Sequence, residues 1–183
     1  MNCSKPHKAL FLDRDGVVID YIPYLSKPEQ VTLPQGAGEA LAQWQKAGYH
    51  LILITNQAGV GRGYFSLTDV EAVHHCIAKK YSAYGVTFDD IFLCPHHPQE
   101  GCDCRKPSPQ MLLEAADKHG INLSQSYFLG DAPSDIEAAI QAGCQPLLVL
   151  TGRGQETVKF LSNYALNILI FNQVSDTLSL LSS

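Results

Sequence analysis

The sequence contains little charge, no excess of basic residues and no long hydrophobic run. Charged side chains make up 17% of the 183 residues and the formal net charge is −5, so the chain lacks the basic character that binds nucleic acids through their phosphates. The longest apolar runs, such as 51–54 and 166–171, are far shorter than the roughly 20 residues of a membrane-spanning helix. The first ten residues lack the apolar core of a secretory signal. We therefore expect a cytoplasmic protein with neither a nucleic-acid nor a membrane partner.

Internal repeats, low-complexity segments and linkers are also lacking. A chain of 183 residues is long enough to bury one sizeable core, so we expect one domain over residues 1–183. The segment 17–35 contains Pro23, Pro28 and Pro34, which disfavour a helix. We expect this segment to form a flap over a site.

Short apolar runs alternate with segments of helical periodicity. The runs predict strands at 8–12, 51–54, 91–94, 127–129 and 147–150. The periodic segments predict helices at 38–47, 67–84, 109–119 and 133–142. Thr68 and Glu71 have the spacing of a capping box at the start of the second helix. The tail beyond residue 167 adds one apolar run and a weak helix. The alternation predicts a doubly wound, mainly parallel α/β sheet with helices on both faces, which binds ligands at the carboxyl ends of its strands.

Polar residues follow several of the predicted strands. Asp13 and Asp15 come directly after the first strand, where two carboxylates two residues apart share one side of an extended backbone. Their mutual repulsion calls for a cation, although aspartate and glycine are also common in turns. Asp131 follows another strand and adds a third oxygen ligand for a hard ion such as Mg²⁺. Thr55 and Lys106 supply the hydroxyl and the positive charge that bind a phosphoryl group.

Three of the six cysteines cluster beside histidine. Cys94, Cys102 and Cys104 lie within eleven residues that also contain His96 and His97. Three thiolates and one imidazole suit a tetrahedral Zn²⁺ ion, and four protein ligands leave no open position for catalysis. We therefore expect a structural zinc loop at about 94–106, with either histidine as the fourth ligand.

The order and spacing of these residues resemble the haloacid dehalogenase superfamily of phosphohydrolases over roughly residues 9–150. The four motifs are Asp13-Arg14-Asp15-Gly16-Val17, Thr55-Asn56, Lys106-Pro107 and Gly130-Asp131 with Asp135 further on. The resemblance implies a Rossmann-like fold and a Mg²⁺-dependent phosphatase that forms an aspartyl-phosphate intermediate.

The resemblance also implies a role for each motif residue. Asp13 is expected to be the nucleophile, and Asp15 the general acid and base. Thr55 and Lys106 are expected to hold the phosphoryl oxygens. Mg²⁺ is expected on the Asp13 carboxylate, the backbone carbonyl of Asp15 and the Asp131 carboxylate.

Asp135 has two interpretations. It is either a surface residue in a first helical turn, where the helix dipole favours a carboxylate, or a residue that orients Lys106.

The zinc loop and the segment 55–65 are similar to a branch of small phosphatases that lack a large cap domain. Members of this branch act on heptose bisphosphates or on histidinol phosphate. The similarity implies His96 as the zinc ligand, a monomer, and a small sugar bisphosphate as substrate. It also implies cleavage of the C7 phosphate in the synthesis of ADP-heptose for surface polysaccharide. Histidinol phosphate is the alternative substrate, and a zinc-stabilised binding module without turnover is the non-enzymatic alternative.

Substrate contacts of this branch carry over to a defined set of positions. They are Tyr21, Ile22, Pro23, Tyr24, Asn56, Gln57, Ala58 and Arg105. A bisphosphate also needs a basic clamp for the phosphate that it keeps, which Arg105 with Arg62 could provide. An equal alternative is that Arg62 is a solvated charge in a loop and takes no part in the clamp. Ala132 stands where related enzymes can carry a lysine, which weakens one contact.

Overall fold

The computed structural model describes residues 7–161 and 168–182, and these are organised around a six-stranded sheet. The strands are β1 (Lys8–Leu12), β2 (Tyr49–Asn56), β3 (Asp90–Cys94), β4 (Tyr127–Gly130), β5 (Gln145–Val149) and β6 (Leu169–Phe171). Their order across the sheet is β3-β2-β1-β4-β5-β6, and all neighbouring pairs are parallel. The apolar run predicted in the tail supplies the edge strand β6.

Helices connect the strands in the predicted alternation. They are α1 (Ala37–Lys46), α2 (Ala58–Gly61), α3 (Leu67–Ser82), α4 (Gln110–His119), α5 (Pro133–Ala142) and α6 (Gly154–Leu161). Short 3₁₀ helices occupy Pro28–Gln30, Leu123–Gln125 and Val174–Ser182. The last of these stands where the sequence predicts a weak helix, and Trp44 Nε1 of α1 holds it by donating to Thr177 Oγ1 at 2.9 Å. None of the helices in the described ranges is long and apolar enough to cross a membrane.

Hydrophobic side chains cover both faces of the sheet. On one face, Leu10 of β1 belongs to a core that includes Trp44 of α1. On the other face, Phe11 of β1 belongs to a core that includes Leu112 of α4 and Ala139 of α5. A strand that is buried on both faces reads as a continuous apolar run, which explains the sequence pattern of β1. The predicted doubly wound α/β fold is confirmed.

The start of α3 differs from the prediction that placed its cap at Thr68 with Glu71. The N-cap is Ser66, whose Oγ accepts from the amide of Asp69 at 3.2 Å. Asp69 Oδ2 in turn accepts from the amide of Ser66 at 2.7 Å. The prediction was wrong by two residues because the pair of Ser66 and Asp69 has the same spacing, and Ser66 has the extended backbone that a cap requires.

β1 lies at the point where the strand order reverses. β2 and β3 extend the sheet to one side of it, and β4 to β6 extend it to the other. In open sheets of this kind the crevice above the reversal binds ligands, because neighbouring connections there leave to opposite faces. The carboxyl ends of β1, β2 and β4 bring Asp13, Thr55 and Asp131 to this crevice.

Candidate active site and zinc centre

Asp13 lies at the floor of a cleft above the reversal point. Its amide extends the β1–β4 ladder by donating to the carbonyl of Leu129 at 3.0 Å, and the residue is 5% exposed. The cleft has a volume of about 290 Å³, close to the lower end of the range for small-molecule sites. Predicted residues that line it are Asp15, Tyr21, Ile22, Pro23, Tyr24, Asn56, Gln57, Ala58, Arg105 and Lys106.

Lys106 is buried beside Asp13, and three oxygen atoms surround its amine. Its Nζ lies 2.8 Å from Asp13 Oδ1, 2.8 Å from the carbonyl of Ile54 and 2.7 Å from Asp135 Oδ1. Burial opposes the charge on this amine, but the carboxylates of Asp13 and Asp135 outweigh burial and raise the pKa of Lys106. The lysine is therefore a fixed positive charge beside Asp13, the predicted nucleophile.

Asp135 orients Lys106 and is not a surface residue. It is 1% exposed, and its Oδ2 accepts from the amides of Asp131 at 3.1 Å and Ala132 at 3.0 Å. These amides belong to the start of α5, so the carboxylate also satisfies free donors at a helix N-terminus. Of the two interpretations from the sequence, the structure supports the one in which Asp135 holds Lys106.

Asp131 is fully buried and only partly hydrogen-bonded. Its Oδ2 accepts from the amide of Arg153 at 2.7 Å, whereas Oδ1 has no hydrogen-bond partner among the described residues. Burial, and then the charges of Asp13 and Asp135, raise the pKa of Asp131 to about 8. An ionised carboxylate at this position needs a cation beside it.

The carboxylates at the cleft floor fit a magnesium ion. Asp13, Asp131 and Asp135 each offer an oxygen, and these oxygens lie within 4.8 Å of one another. Because Asp135 is already paired with Lys106 and two amides, Asp13 and Asp131 remain as side-chain ligands. One or two carboxylates are the number that Mg²⁺ takes when waters and a phosphate complete its shell. The Asp15 side chain is outside this group, which leaves its backbone carbonyl as the predicted third ligand.

The side chain of Asp15 is held by Arg14 and Gln57. Arg14 donates to it through Nε and Nη2, each at 3.0 Å, and Gln57 Nε2 donates to Oδ2, also at 3.0 Å. The same Nε2 lies 2.8 Å from Thr55 Oγ1. Gln57 therefore links Thr55, which is 1% exposed beneath the cleft, to the predicted acid and base.

Asn56 contacts the backbone of Lys106. Its Nδ2 donates to the Lys106 carbonyl at 3.1 Å, and its Oδ1 accepts from the Lys106 amide at 3.1 Å. Both polar atoms of the amide are thereby engaged, so Asn56 positions the lysine from β2 in addition to lining the cleft.

The structure separates the two arginines that were considered as a phosphate clamp. Arg105 lines the cleft and its buried Nη1 has no hydrogen-bond partner within the described part of the chain. Arg62, which ends the short helix α2, is exposed and does not line the cleft. The geometry therefore favours the interpretation of Arg62 as a solvated loop charge.

Arg153 lines the cleft and was missed in the sequence. It follows β5, its side chain is 50% exposed, and its guanidinium carbon lies 5.8 Å from the centre of the Tyr21 ring. Its Nη2 is 3.8 Å from Asp131 Oδ1. The signal was available, because Thr151-Gly152-Arg153 is another polar segment at a strand end. Phe65 and Ser134 also line the cleft, and neither stands at a strand end.

Cys94, His96, Cys102 and Cys104 form one compact cluster. The sulfur of Cys94 lies 3.5 Å from that of Cys102 and 3.6 Å from His96 Nδ1. Cys104 Sγ lies 3.3 Å from His96 Nδ1 and 3.8 Å from Cys102 Sγ. A tetrahedral zinc site with Zn–S bonds of about 2.3 Å has edges of about 3.8 Å, so the four atoms fit this ion.

His97 does not share the cluster. Its Nδ1 accepts from the amide of Gln99 at 3.1 Å, and its own amide donates to Glu100 Oε1 at 2.5 Å. The geometry therefore supports His96 as the fourth ligand. Burial, and then the neighbouring thiols, raise the pKa of Cys104 to about 12, so binding of zinc must displace this proton.

The zinc loop is connected to both sides of the cleft. The carbonyl of Cys94 accepts from the amide of Gln57 at 2.8 Å, and the carbonyl of Pro95 accepts from the amide of Gly61 at 2.8 Å. At its other end the loop continues through Cys104 into Arg105 and Lys106. The cluster therefore fixes the segment that brings positive charge to the cleft.

Comparison with known proteins identifies the family. A HAD-hydrolase-like family model matches residues 103–176. The D-glycero-β-D-manno-heptose-1,7-bisphosphate 7-phosphatase of Pseudomonas putida is 42% identical over 153 residues, which are 83% of this chain and 87% of the relative. The protein of the same name from Helicobacter pylori is 41% identical over 145 residues, which are 79% of this chain and 84% of the relative.

Solved structures agree with the sequence relatives. The D,D-heptose 1,7-bisphosphate phosphatase of B. bronchiseptica, complexed with magnesium and phosphate, superimposes with a TM-score of 0.88 at 34% identity and covers 96% of this chain and 98% of its own. The corresponding enzyme of Burkholderia thailandensis gives a TM-score of 0.73 at 28% identity, covering 96% and 99%. The chain belongs to the family of D-glycero-β-D-manno-heptose-1,7-bisphosphate 7-phosphatases, within the HAD-like hydrolases.

Proposed function

We propose that this enzyme removes the C7 phosphate of D-glycero-β-D-manno-heptose 1,7-bisphosphate, in the synthesis of ADP-heptose for surface polysaccharide. The observation that carries the proposal is the pairing of Asp13 with a buried lysine at the floor of a cleft that also contains arginine side chains. A nucleophile beside a fixed positive charge suits phosphoryl transfer, and arginines suit a second phosphate. The names of the relatives supply the sugar and its anomer.

Asp13 is the nucleophile in this proposal. One of its carboxylate oxygens attacks the C7 phosphorus, and the bond between phosphorus and the C7 oxygen breaks in line with the attack. Asp15 gives its proton to the departing C7 oxygen, so the sugar 1-phosphate leaves with a hydroxyl group at C7. Lys106 and the hydroxyl of Thr55 hold oxygens of the transferred group, whose negative charge the lysine compensates.

A water molecule completes the reaction. Asp15, now ionised, takes a proton from this water as its oxygen attacks the phosphorus of aspartyl-phosphate. The bond between phosphorus and Asp13 breaks, and inorganic phosphate and the free carboxylate are formed. Mg²⁺ on Asp13, Asp131 and the Asp15 carbonyl would compensate charge on the phosphate. Zn²⁺ on the cysteine and histidine cluster would hold the loop of Lys106 in place.

Arg105 and Arg153 are the groups that we assign to the phosphate at C1. Both line the cleft, whereas Arg62 lies outside it. Guanidinium groups bind phosphate through two parallel N–H donors, so two arginines suffice for one retained phosphate. Tyr21 and Tyr24 of the flap provide the wall along which the sugar would lie.

The test compares kcat/KM for four substrates under one set of conditions. They are the β and α anomers of the heptose bisphosphate, heptose 7-phosphate and histidinol phosphate. We expect the β-bisphosphate to be preferred over the 7-phosphate by at least about tenfold, because the monophosphate leaves the arginines unpaired. A preference for histidinol phosphate would overturn the substrate assignment. Asp13→Asn, kept free of deamidation, should be inactive on all four, and full activity would overturn the nucleophile.

We also propose that the enzyme is a single-domain monomer that acts in the cytoplasm without a nucleic-acid or membrane partner. The sheet with its two cores supports a single domain, and the free thiols of Cys76 and Cys144 suit a reducing compartment. Analytical ultracentrifugation at micromolar concentration tests the monomer. Fractionation of cells tests the compartment, with a membrane-bound or secreted pool as the contradicting result.

A further inference from the structure

Arg14 stands between the two aspartates of the first motif and is almost completely buried. The residue is 1% exposed, and an arginine is seldom buried to this extent unless its charge is paired. The reaction described above uses its neighbours on both sides but gives Arg14 no role.

The guanidinium of Arg14 makes two parallel hydrogen bonds to the carboxylate of Asp15. Nε donates to Oδ2 and Nη2 donates to Oδ1, both at 3.0 Å. Two parallel N–H donors fix the plane and the direction of a carboxylate, which a single point charge does not. Nη2 also lies 3.5 Å from the carbonyl of Leu25 in the flap, so the arginine contacts both the acid and the flap.

The hydrogen bonds leave the two oxygens of Asp15 unequal. A carboxylate oxygen can accept two hydrogen bonds. Oδ2 accepts from Arg14 Nε and from Gln57 Nε2, at 3.0 Å each, and is therefore saturated. Oδ1 accepts only from Arg14 Nη2 among the described residues, so one of its lone pairs is free.

We propose that Arg14 is a positioning residue that holds the Asp15 carboxylate so that protons pass to and from the substrate through Oδ1. The inference rests on the proposed function, in which Asp15 is the acid and base. The acid carries its proton on Oδ1 and gives it to the departing oxygen. The carboxylate that remains keeps both bonds to Arg14, and Oδ1 then takes a proton from the attacking water.

The test is a double-mutant cycle that combines Arg14→Lys with Asp15→Asn. Lysine keeps the positive charge but offers one donor point in place of the planar pair. We expect Arg14→Lys to lower kcat about 30-fold, within the range for loss of general acid and base catalysis, while KM changes less than about threefold. In the Asp15→Asn background the same substitution should change kcat less than about threefold, because Arg14 then has no acid to position.

Two outcomes would overturn the proposal. One is an equal loss from Arg14→Lys in both backgrounds, which indicates a general structural defect. The other is a kcat within about threefold of the parent enzyme in the single variant. Thr177→Val is the control for stability, because it breaks the buried hydrogen bond to Trp44 far from the cleft and should leave kcat unchanged.

Each variant is assayed on heptose bisphosphate and on p-nitrophenyl phosphate. If the parent enzyme hydrolyses p-nitrophenyl phosphate but not heptose bisphosphate, the proposed substrate is wrong. The double-mutant cycle can then still be measured with p-nitrophenyl phosphate. Arg14→Gln serves as a second variant if Arg14→Lys fails to fold, since it removes the buried charge and the parallel pair of donors. Its loss of kcat should also disappear in the Asp15→Asn background, and a loss that persists there counts against the proposal.

Discussion

Lys106 Nζ donates to Asp13 Oδ1 at 2.8 Å, so the proposed nucleophile and the positive charge proposed to bind the phosphoryl group are in direct contact. Three oxygens already lie within 2.8 Å of the amine, so a phosphoryl oxygen competes with them for its N–H groups. The carbonyl of Ile54 is the only uncharged partner of the three. A phosphoryl oxygen therefore replaces this hydrogen bond more easily than either bond to a carboxylate. The two carboxylates hold the ammonium group in place throughout.

Asp135→Asn should lower kcat by about 10- to 100-fold, because it removes one of the two carboxylates that hold Lys106 and leaves a buried lysine with one charged partner. Steady-state kinetics and a urea denaturation curve measure the effect on activity and on stability. Asp117→Asn makes the same change in charge at an exposed position of α4 and should affect neither. Equal kinetics for the two variants would contradict the role of Asp135.

Arg153→Met should raise KM for the heptose bisphosphate by about tenfold or more, since a charged hydrogen bond to the retained phosphate is lost. Its kcat/KM on p-nitrophenyl phosphate, which has no second phosphate, should stay within about threefold of the parent. Arg62→Met is the matched control, because it removes the same charge outside the cleft. If Arg62→Met shows the larger effect on the bisphosphate, the assignment of the clamp is wrong.

Cys104→Ser should release zinc and lower both stability and activity. Loss of one of four ligands opens the cluster, and we expect the midpoint of thermal unfolding to fall by about 10 °C. Because the loop continues into Lys106, kcat should fall in protein that remains folded. Elemental analysis, calorimetry and kinetics measure the three effects. Cys76→Ser, at a thiol outside the cluster, should retain zinc, and equal zinc content in both variants would exclude the site.

His74 should make the protein less stable as the pH falls below about 6.5. Burial, and then the charge of Arg14, lower the pKa of His74 to about 4 in the folded protein. Between these two pH values the unfolded chain binds more protons than the folded one, so stability is lost as pH falls through this window. The loss attributable to this residue is at most about 3 kcal/mol.

Urea denaturation at several pH values measures this effect as the difference between parent and variant. In His74→Leu the free energy of unfolding should depend less on pH between about 4 and 6.5. His75→Gln, on the exposed side of the same helix, should keep the dependence of the parent. Parallel curves for the parent and His74→Leu would show that the buried histidine does not contribute.

Gly16→Ala should impair metal binding. Gly16 has a φ of +85°, and a Cβ there would lie 2.5 Å from Asp131 Oδ2. Gly48→Ala is the matched control, with a φ of +84° and no atom within 4 Å of the added carbon. Both variants carry the same backbone strain, of about 1–3 kcal/mol, but only Gly16→Ala displaces a predicted magnesium ligand. Equal magnesium affinity in the two, measured by calorimetry, would contradict this prediction.

The fold could be predicted because the signals for it are local. Apolar runs such as that of β1 and the segments of helical periodicity determine the alternation, and the alternation limits the sheet to a parallel one. The order of the strands was not predicted from the sequence, and the structure shows that Asp13 follows the strand at the reversal point. The ends of individual helices and strands were harder to predict. At the start of α3, Ser66 with Asp69 and Thr68 with Glu71 have the same spacing, and the structure shows that Ser66 is the cap.

The site was predictable only where its residues stand in motifs. Asp131 comes directly after β4, and parallel strands bring such positions together. Lys106 comes two residues after the last cysteine of the zinc loop, within a family motif. Arg153 was missed although it follows the polar strand end Thr151-Gly152, because its approach to the Tyr21 ring depends on the path of residues 17–35. The choice between the two environments of Asp135 likewise required the position of Lys106, which lies on another loop.

The central position of β1 has a consequence for synthesis of the protein. Its last three residues, 10–12, pair with β4, and the amide of Ala9 donates to the hydroxyl of Ser126, which is 117 residues further along the chain. A nascent chain that has emerged only as far as Cys104 contains Asp13 and the zinc ligands but lacks β4, the strand that pairs with β1 beside Asp13. Because contacts between distant segments form slowly, catalytic competence should arise late, after most of the chain has left the ribosome. Appearance of activity during translation therefore reports completion of the sheet.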